Sequence, residues 1–388
     1  MTVCIQDAAL APPWQGFVVT NGGRGRWLQE GAGFQRRYLH SGRIRGRCYT
    51  VAGRCNSSHR LLELGEKGVY PSYTLARTRF KCIMADGFDL LRSWMSKQPF
   101  EPEEGNKRLS IERMDGPVGA VVTGADLAGH LTQAVVDQIW TALLDHGLVW
   151  FPGQILSPTQ QAAFAENFGE LGTYPFVAPL AEHDKVIPVI KEPETKMNFG
   201  GLWHTDTSYL PEPPSVTMLQ AIEVPGRGGD TLFADMAAAF ESLSTGMQKM
   251  LLGLIGVYTA GMVHGETGAY SAAAGADHPM DYGDKEGVAE RRVEHPIIRT
   301  HPETGRKSIF AGSGHCSHIK GMRRSESKVI LDWLNAYATK PEFVTRLKWE
   351  SGSVAMWDNR RVFHYALNDY AGERRHMHRV ILKGDRPF

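Results

Sequence analysis

Beyond residue 107 the spacing of hydrophobic and polar positions specifies secondary structure. Residues 131–146 carry apolar side chains at helical spacing and precede Gly147, which predicts a helix that ends at a glycine. Residues 157–160 (SPTQ) form a capping box with proline in the first turn, so a second helix is expected to begin there. Further helices are expected around residues 236–255 and 325–336.

Short apolar runs bounded by Gly and Pro predict β-strands between and after these helices. The best candidates are RLSIERM, GAVVTGADL, LVWF, TMLQAIEV, GDTLFA, KSIFA, RLKWE, SVAMWD and RVILKG. A few helices outside many short strands are typical of an α+β protein with a β-sandwich or jelly-roll core.

Residues 1–106 lack this periodicity and differ in charge. They contain 15 Lys/Arg against 9 Asp/Glu, a net charge of +6, whereas residues 107–388 have a net charge of −5. We interpret residues 1–106 as a weakly ordered, Gly/Arg-rich extension and residues 107–388 as the folded domain. An RNA-binding arm and a cleaved organelle-targeting leader are the alternatives for the extension.

Composition narrows the class of protein. Apolar residues make up 42% and charged residues 22%, which is typical of a globular chain with a large core. A net charge of +1 disfavours a nucleic-acid binder that depends on phosphate contacts. No apolar run reaches the length of a transmembrane helix. We therefore expect a cytoplasmic protein with no nucleic-acid or membrane partner, and assembly into a homo-oligomer is compatible with these features.

Two candidate metal ligands are separated by one residue in the segment WHTD. On an extended strand, His204 and Asp206 would project from the same face. Such a pair alone is more typical of a surface hydrogen bond, but it follows a Gly-rich loop, and His364 offers a third ligand downstream. Two imidazoles and one carboxylate form the facial triad of non-haem Fe(II) oxygenases, which leaves open positions for O2 and a cosubstrate.

Three arginines follow His364 closely. Because a guanidinium binds a carboxylate through two hydrogen bonds, buried arginines here would suit a dicarboxylate cosubstrate. A solvated basic loop is the alternative, and we favour it for Arg374. Arg375 and Arg379 are four residues apart, and they need not share a face if the segment is extended around His378.

The segments WHTD, GGDTLFAD, RTHPETGRKSIF and WDNRRVFHYALNDYAGERRHMHRVILKGDRPF occur in this order. Together they resemble the taurine dioxygenase family of Fe(II)/2-oxoglutarate enzymes, which also includes alkylsulfatase and aryloxyalkanoate dioxygenases. The likeness extends from about residue 108 to residue 388. It implies a double-stranded β-helix (jelly-roll) core with flanking helices. It also implies an oxidoreductase that uses Fe(II), 2-oxoglutarate and O2 to hydroxylate a C–H bond of a small organic acid, releasing succinate and CO2.

The resemblance implies roles residue by residue. The iron ligands are matched by His204, Asp206 and His364. Thr231 and Arg375 match the hydroxyl and the guanidinium that bind the distal carboxylate of 2-oxoglutarate. Arg379 matches the arginine beside the other end of the cosubstrate and the anionic head of the substrate. Trp357 matches a packing residue near the iron.

Three positions depart from the taurine pattern. Tyr174 stands where taurine enzymes place a sulfonate-binding histidine, Val177 replaces a tyrosine, and Gly200 replaces an asparagine. Three polar contacts of the taurine pattern are thus altered or lost, while Arg379 remains. We therefore expect an anionic small-molecule substrate that is larger and less polar than taurine, of the sulfonate, sulfate ester or aryloxyalkanoate type.

Two other functions would use the same residues. A metal-dependent hydrolase could activate water at the His/Asp/His site, but it would not need Thr231 or the paired arginines. A non-catalytic binding protein on a degenerate β-helix would not need an intact ligand set.

Other residues have a less specific signal. Residues 261–287 form a Gly-rich segment that predicts either a lid over an active site or a disordered loop. His264 and Tyr270 could contact substrate from it, although each is more typical of a solvated loop residue. His315 and His318 have metal-like spacing but no further ligands, so we interpret them as surface or structural residues, and Cys316 as a packed thiol.

Overall fold

The computed structural model describes residues 109–265, 268, 283–284, 287–312 and 314–388, together with the backbone of three earlier strands. The chain divides into two compact units, Met1–Pro99 and Phe100–Phe388. In the first unit the three strands form an antiparallel sheet in the order β2-β1-β3: β1 (Gly16–Asn21), β2 (Arg24–Gln29) and β3 (Thr50–Gly53). The sequence analysis did not predict these three strands, because residues 1–106 show little periodicity of apolar positions. The weak order predicted for the remainder of residues 1–106 lies outside the described residues.

The second unit is a mixed α/β structure. Its strands are β4 (Ser110–Arg113), β5 (Ala120–Thr123), β6 (Leu148–Phe151), β7 (Ile187–Lys191), β8 (Val216–Glu223), β9 (Thr231–Asp235), β10 (Ile255–Tyr258), β11 (Val293–Pro296), β12 (Ile298–Thr300), β13 (Lys307–Ile309), β14 (Cys316–Ile319), β15 (Val344–Leu347), β16 (Val354–Asp358), β17 (Val362–Ala366) and β18 (Arg375–Leu382). Its helices are α1 (Gln133–His146), α2 (Pro158–Glu166), α3 (Met236–Glu241), α4 (Thr245–Leu251), α5 (Gly261–His264) and α6 (Arg324–Ala338).

Seven strands form the main sheet, in the order β4-β5-β6-β16-β8-β18-β7. Its strands pair antiparallel, except for β5 and β6, which run parallel. The central strands β16 and β8 are buried along nearly their whole length, which explains their continuous apolar sequences. A smaller antiparallel sheet has the order β15-β9-β17.

Two clusters of buried side chains cover the two faces of the main sheet. On one face, α1 and α2 pack through side chains such as Ile139 and Phe164 against Met218 of β8 and Met356 of β16. On the other face, side chains of β8, β16 and β18 form one cluster with Phe233 of β9 and with residues of β15 and β17. The smaller sheet therefore packs on the main sheet, and the functional residues described below lie along this side.

The predicted helix ends agree with the structure where the sequence contains a strong capping motif. Gly147 ends α1 with φ +74° and donates its N–H to Leu143 O, as the sequence predicts. Ser157 and Gln160 exchange both hydrogen bonds of the capping box that begins α2. The single helix expected over residues 236–255 is instead two short helices and a strand, because Ser244 caps a new helix by accepting from Met247 N–H.

The Gly-rich segment at residues 261–287 begins with α5, and most of the remainder lies outside the described residues, including Tyr270. Across the part of the chain that the structure describes, no helix combines the length and the apolarity needed to cross a lipid bilayer.

Candidate functional site

Two of the predicted ligands are brought together by an isolated antiparallel bridge. His204 and His364 exchange both backbone hydrogen bonds, at 3.1 Å and 2.8 Å. Residues that face each other in such a pair project their side chains to the same side of the sheet. The two imidazole centroids are therefore only 4.2 Å apart, although 159 residues of chain separate the two histidines.

Asp206 reaches the same point from a turn. The sequence predicted His204-Thr205-Asp206 as part of a strand, and this was wrong: only His204 lies in the bridge, and the turn that follows contains Thr207 at φ +42°. Thr205 still points the opposite way, donating its hydroxyl to Asn359 O at 2.7 Å. Asp206 Oδ1 lies 3.8 Å from Nε2 of each histidine, so the predicted triad is assembled.

The protonation of the three groups suits a cation. Burial lowers the pKa of His204 and of His364, so both imidazoles are neutral at pH 7. The Nδ1 of His204 lies 2.6 Å from Leu202 O, an atom that only accepts, so this nitrogen carries the proton and Nε2 keeps its lone pair. The donor set is then two neutral nitrogens and one carboxylate oxygen.

Asp206 is ionised despite its burial. Burial alone would raise the pKa of Asp206, but Arg379, the two imidazoles and the hydroxyl of Thr217 outweigh it and lower that pKa to about 2. The Nη2 of Arg379 lies 2.7 Å from Asp206 Oδ1, at an angle that does not make a hydrogen bond. Arg379 is itself buried, and its guanidinium lies 4.8 Å from the ring centroid of Tyr174.

Arg375 and Thr231 lie together beside Trp349. Trp349 Nε1 donates to Thr231 Oγ1 at 2.9 Å, which leaves the hydroxyl proton of Thr231 available to an acceptor. Arg375 is buried, its Nε donates to Gly229 O, and its Nη2 has no hydrogen-bond partner among the described residues. A buried hydroxyl and an unsatisfied guanidinium nitrogen at one place fit a carboxylate. Sequence reasoning missed Trp349, which carries no motif of its own.

The sequence left open whether Arg375 and Arg379 share a face, and the structure shows that they do, although the segment is extended. β18 is extended through both Arg375 and Arg379, so the alternation of a strand places them on one face, about 13 Å apart along it. Arg374 points the other way and pairs with Glu192 and Glu223 at the surface, as expected for a solvated residue.

A pocket that is open to solvent leads to the triad. Its wall combines aromatic and aliphatic side chains, among them Tyr174, Phe199, Leu202 and Val263, with polar ones, and Arg379 is its buried cation. Gly200 also lines the pocket, at φ +83°. Val177 does not line it; the side chain packs in a small cluster with Ile187, behind Tyr174 and Phe199.

Two histidines whose sequence signal was less specific, His264 and His315, lie in the pocket wall. His264 is not a solvated loop residue: it lines the pocket and stacks on Phe176 at a centroid distance of 4.1 Å. Burial lowers the pKa of His264 to about 3. For His315 the sequence left a surface or a structural role open, and the structure agrees with the second, since His315 is buried in the pocket wall with Nδ1 2.9 Å from Ser208 Oγ. Only the three-dimensional structure brings the two histidines to the pocket, because their partners there are distant in sequence.

Two further expectations concerned packing. Trp357 is buried, with its ring centroid 4.8 Å from that of His364, in agreement with a packing residue beside the ligands. Cys316 is buried, and burial raises the pKa of its thiol to about 12, in agreement with a packed and unreactive cysteine.

Comparison with known proteins gives consistent matches. The profile of the "Taurine catabolism dioxygenase TauD, TfdA family" matches residues 110–381. An alkylsulfatase from Acinetobacter baylyi is 30% identical over 72% of this chain and 86% of its own. An alpha-ketoglutarate-dependent 2,4-dichlorophenoxyacetate dioxygenase from Burkholderia sp. (strain RASC) is 34% identical over 67% of this chain and 89% of its own. The crystal structure of a taurine dioxygenase from Burkholderia xenovorans superimposes with a TM-score of 0.60, at 31% identity, over 72% of this chain and 92% of that one.

Proposed function

The chain belongs to the TauD/TfdA family of taurine catabolism dioxygenases, and from this premise we propose that His204, Asp206 and His364 bind Fe(II) in an enzyme that hydroxylates a small anionic molecule. The observation that carries this proposal is that Asp206 Oδ1 faces Nε2 of both histidines at 3.8 Å inside a pocket with one buried arginine. Buried, neutral imidazoles and an ionised carboxylate are the donor set of non-haem iron oxygenases.

The iron and its cosubstrate supply the oxidising chemistry. When bound, Fe(II) with 2-oxoglutarate and O2 replaces a substrate C–H bond by C–OH and releases succinate and CO2. The protein holds the cosubstrate: the hydroxyl proton of Thr231 and the unsatisfied Nη2 of Arg375 are the groups that would bind its distal carboxylate.

The substrate is held by charge at one end and apolar contact elsewhere. Arg379 would bind the anionic head, because it is buried, next to the triad, and its Nε has no hydrogen-bond partner among the described residues. Tyr174, Phe199 and Leu202 would contact the body of the substrate and exclude water from it. We therefore propose a sulfonate, sulfate ester or aryloxyalkanoate that is larger and less polar than taurine.

The sheet arrangement supports the finer assignment of the fold. A main sheet and a smaller antiparallel sheet pack face to face, with helices on the outer side. We propose that these strands form the double-stranded β-helix, or jelly roll, that the resemblance implied.

Anaerobic absorption spectroscopy tests the metal and cosubstrate assignments. Wild-type protein with Fe(II) should develop a weak visible charge-transfer band when 2-oxoglutarate is added, and His204→Ala should abolish the band. Iron binding without any band would contradict the 2-oxoglutarate assignment and would favour the hydrolase interpretation.

Succinate release tests the substrate class. With matched concentrations of taurine, a phenoxyalkanoate and a linear alkyl sulfate, we expect at least tenfold higher kcat/KM for one of the latter two than for taurine. Comparable turnover of taurine would contradict the proposed preference for a larger, less polar substrate.

A further inference from the structure

The two carboxylate oxygens of Asp206 face different groups. Oδ1 faces Nε2 of both triad histidines at 3.8 Å. Oδ2 points the other way and accepts a hydrogen bond from the hydroxyl of Thr217 at 2.5 Å. Thr217 is fully buried on β8, so water does not compete for this contact. One oxygen is thus directed at the cation site and the other is held inside the sheet.

A chain of hydrogen bonds fixes the direction of the Thr217 hydroxyl. Trp357 Nε1 can only donate, so the atom of Asn359 that it contacts at 3.1 Å must be the amide oxygen. The Asn359 amide nitrogen then faces Thr217 Oγ1 at 2.8 Å and donates to it. Since Thr217 Oγ1 accepts from Asn359, its single proton is directed to Asp206 Oδ2.

The main sheet holds this chain in place. Trp357 on β16 and Thr217 on β8 are direct cross-strand partners, and Asn359 follows β16 in the next turn. Asn359 is also held at its backbone, where its N–H donates to Ser215 O and its carbonyl accepts from the Thr205 hydroxyl. Trp357, Asn359 and Thr217 are all buried, so the chain has a single arrangement of donors and acceptors.

We propose that Thr217 and Asn359 are positioning residues of the metal site: they occupy Asp206 Oδ2 so that Asp206 offers only Oδ1 to the iron. This inference rests on the proposed function. A carboxylate free to present both oxygens would fill an additional position on the metal, one that the cosubstrate or O2 requires. Groups that hydrogen-bond to a metal ligand commonly change metal affinity by tenfold to hundredfold when removed.

Two substitutions at Thr217 separate positioning from packing. Thr217→Val keeps the shape and removes the hydroxyl, whereas Thr217→Ser keeps the hydroxyl and removes a methyl group. We expect Thr217→Val to weaken anaerobic Fe(II) binding at least tenfold and to shift the charge-transfer band formed with 2-oxoglutarate. Thr217→Ser should bind Fe(II) within about threefold of wild type and restore the position of the band.

A matched control and a second variant complete the test. Thr345→Val removes another buried hydroxyl, one that accepts from Val118 N–H away from the triad, and should leave Fe(II) affinity and the band unchanged. Asn359→Leu removes the donor to Thr217, and we expect it to weaken Fe(II) binding in the same direction, so the inference can be tested even if Thr217→Val fails to fold.

The outcomes distinguish this inference from the proposed function. If wild type binds Fe(II) and forms the band while Thr217→Val and Asn359→Leu match it in affinity and spectrum, the positioning role is wrong and the metal site stands. If wild type binds no Fe(II), the proposed function fails and the positioning role fails with it.

Discussion

At the scale of single residues, Arg375 is a buried cation with an unsatisfied nitrogen. Burial lowers its pKa from the ordinary value of arginine, which measures the cost of holding this charge without a carboxylate. A bound dicarboxylate would satisfy that nitrogen. The residue is therefore best tested through the affinity for 2-oxoglutarate.

Arg375→Leu should raise the KM for 2-oxoglutarate by about 30-fold, because a charge-assisted hydrogen bond contributes about 2 kcal/mol. Succinate formation measured against 2-oxoglutarate concentration gives this value. Arg374→Leu is the matched control, since it removes a neighbouring arginine that pairs only with surface glutamates. Equal KM values for the two variants would contradict the assignment of Arg375.

Asp358 is a second buried carboxylate, and it determines how the fold responds to acid. Burial would raise the pKa of Asp358, but Arg360 and His301, which both contact it at 2.7–2.8 Å, outweigh burial and lower that pKa well below the usual range. A group with a lowered pKa stabilises the fold above its unfolded value of about 3.9, and this stabilisation is lost as the pH falls below it.

Asp358→Asn should therefore reduce the free energy of unfolding at pH 7 by about 3 kcal/mol, because buried Arg360 loses its fully buried anion and keeps only the partly exposed Glu303. Urea unfolding at pH 7 and at about pH 2.5, below the unfolded pKa of a carboxyl group, should show a smaller loss of stability on acidification for the variant than for wild type. Asp332→Asn, which alters an exposed pair with Lys328, serves as the control and should change stability little. A variant with the wild-type pH dependence would contradict this account.

Site residues that belong to a recognisable motif could be predicted from the sequence. Residues that matter only because of the neighbours they contact in the fold could not. His204, Asp206, His364 and Arg379 come together as the motifs predicted. Thr217 could not be predicted, because an ordinary threonine in an apolar strand is indistinguishable from a packing residue until its partner is known. The positions of His264 and His315 in the pocket wall were not predicted for a related reason: both reach the pocket through contacts with residues distant in sequence, Phe176 and Ser208.

Among the secondary-structure elements, helices could be predicted from local sequence, because their backbone hydrogen bonds form within the helix itself. The helices α1 and α2 follow from apolar spacing, a glycine C-cap and a capping box, all of which are written within a few residues. Strands such as β7 and β17 were not predicted, since a short strand depends on partners distant in sequence. The His204–His364 bridge was the hardest pairing to predict from sequence, because it consists of a single residue from each of two distant segments.

Ser157→Ala tests the element-level account of α2. It removes the hydroxyl that accepts from Gln160 N–H, and we expect a loss of about 1 kcal/mol in the free energy of unfolding. Chemical denaturation of the apoprotein provides the measurement. Thr159→Ala is the control in the same exposed turn and should leave stability unchanged or slightly higher, because alanine favours a helix. A similar loss in both variants would show that the cap is not the cause.

At the scale of the whole molecule, every residue assigned to the site lies in the second unit. The three triad residues, the two arginines and the pocket wall all come from residues 174–379, within Phe100–Phe388. Among the residues whose side chains the structure describes, the buried clusters on both faces of the main sheet also consist of residues from this unit. Folding and metal binding should therefore not require the first 99 residues.

A chain comprising residues 100–388 should unfold cooperatively, bind Fe(II) as tightly as the full chain and form the same band with 2-oxoglutarate. Its melting temperature should lie within a few degrees of that of the full chain, since the shortened chain retains the buried clusters described for the second unit. His204→Ala in the shortened chain provides the matched negative control for the band. Failure of the shortened chain to fold, or a folded chain that lacks the band, would contradict the independence of the second unit.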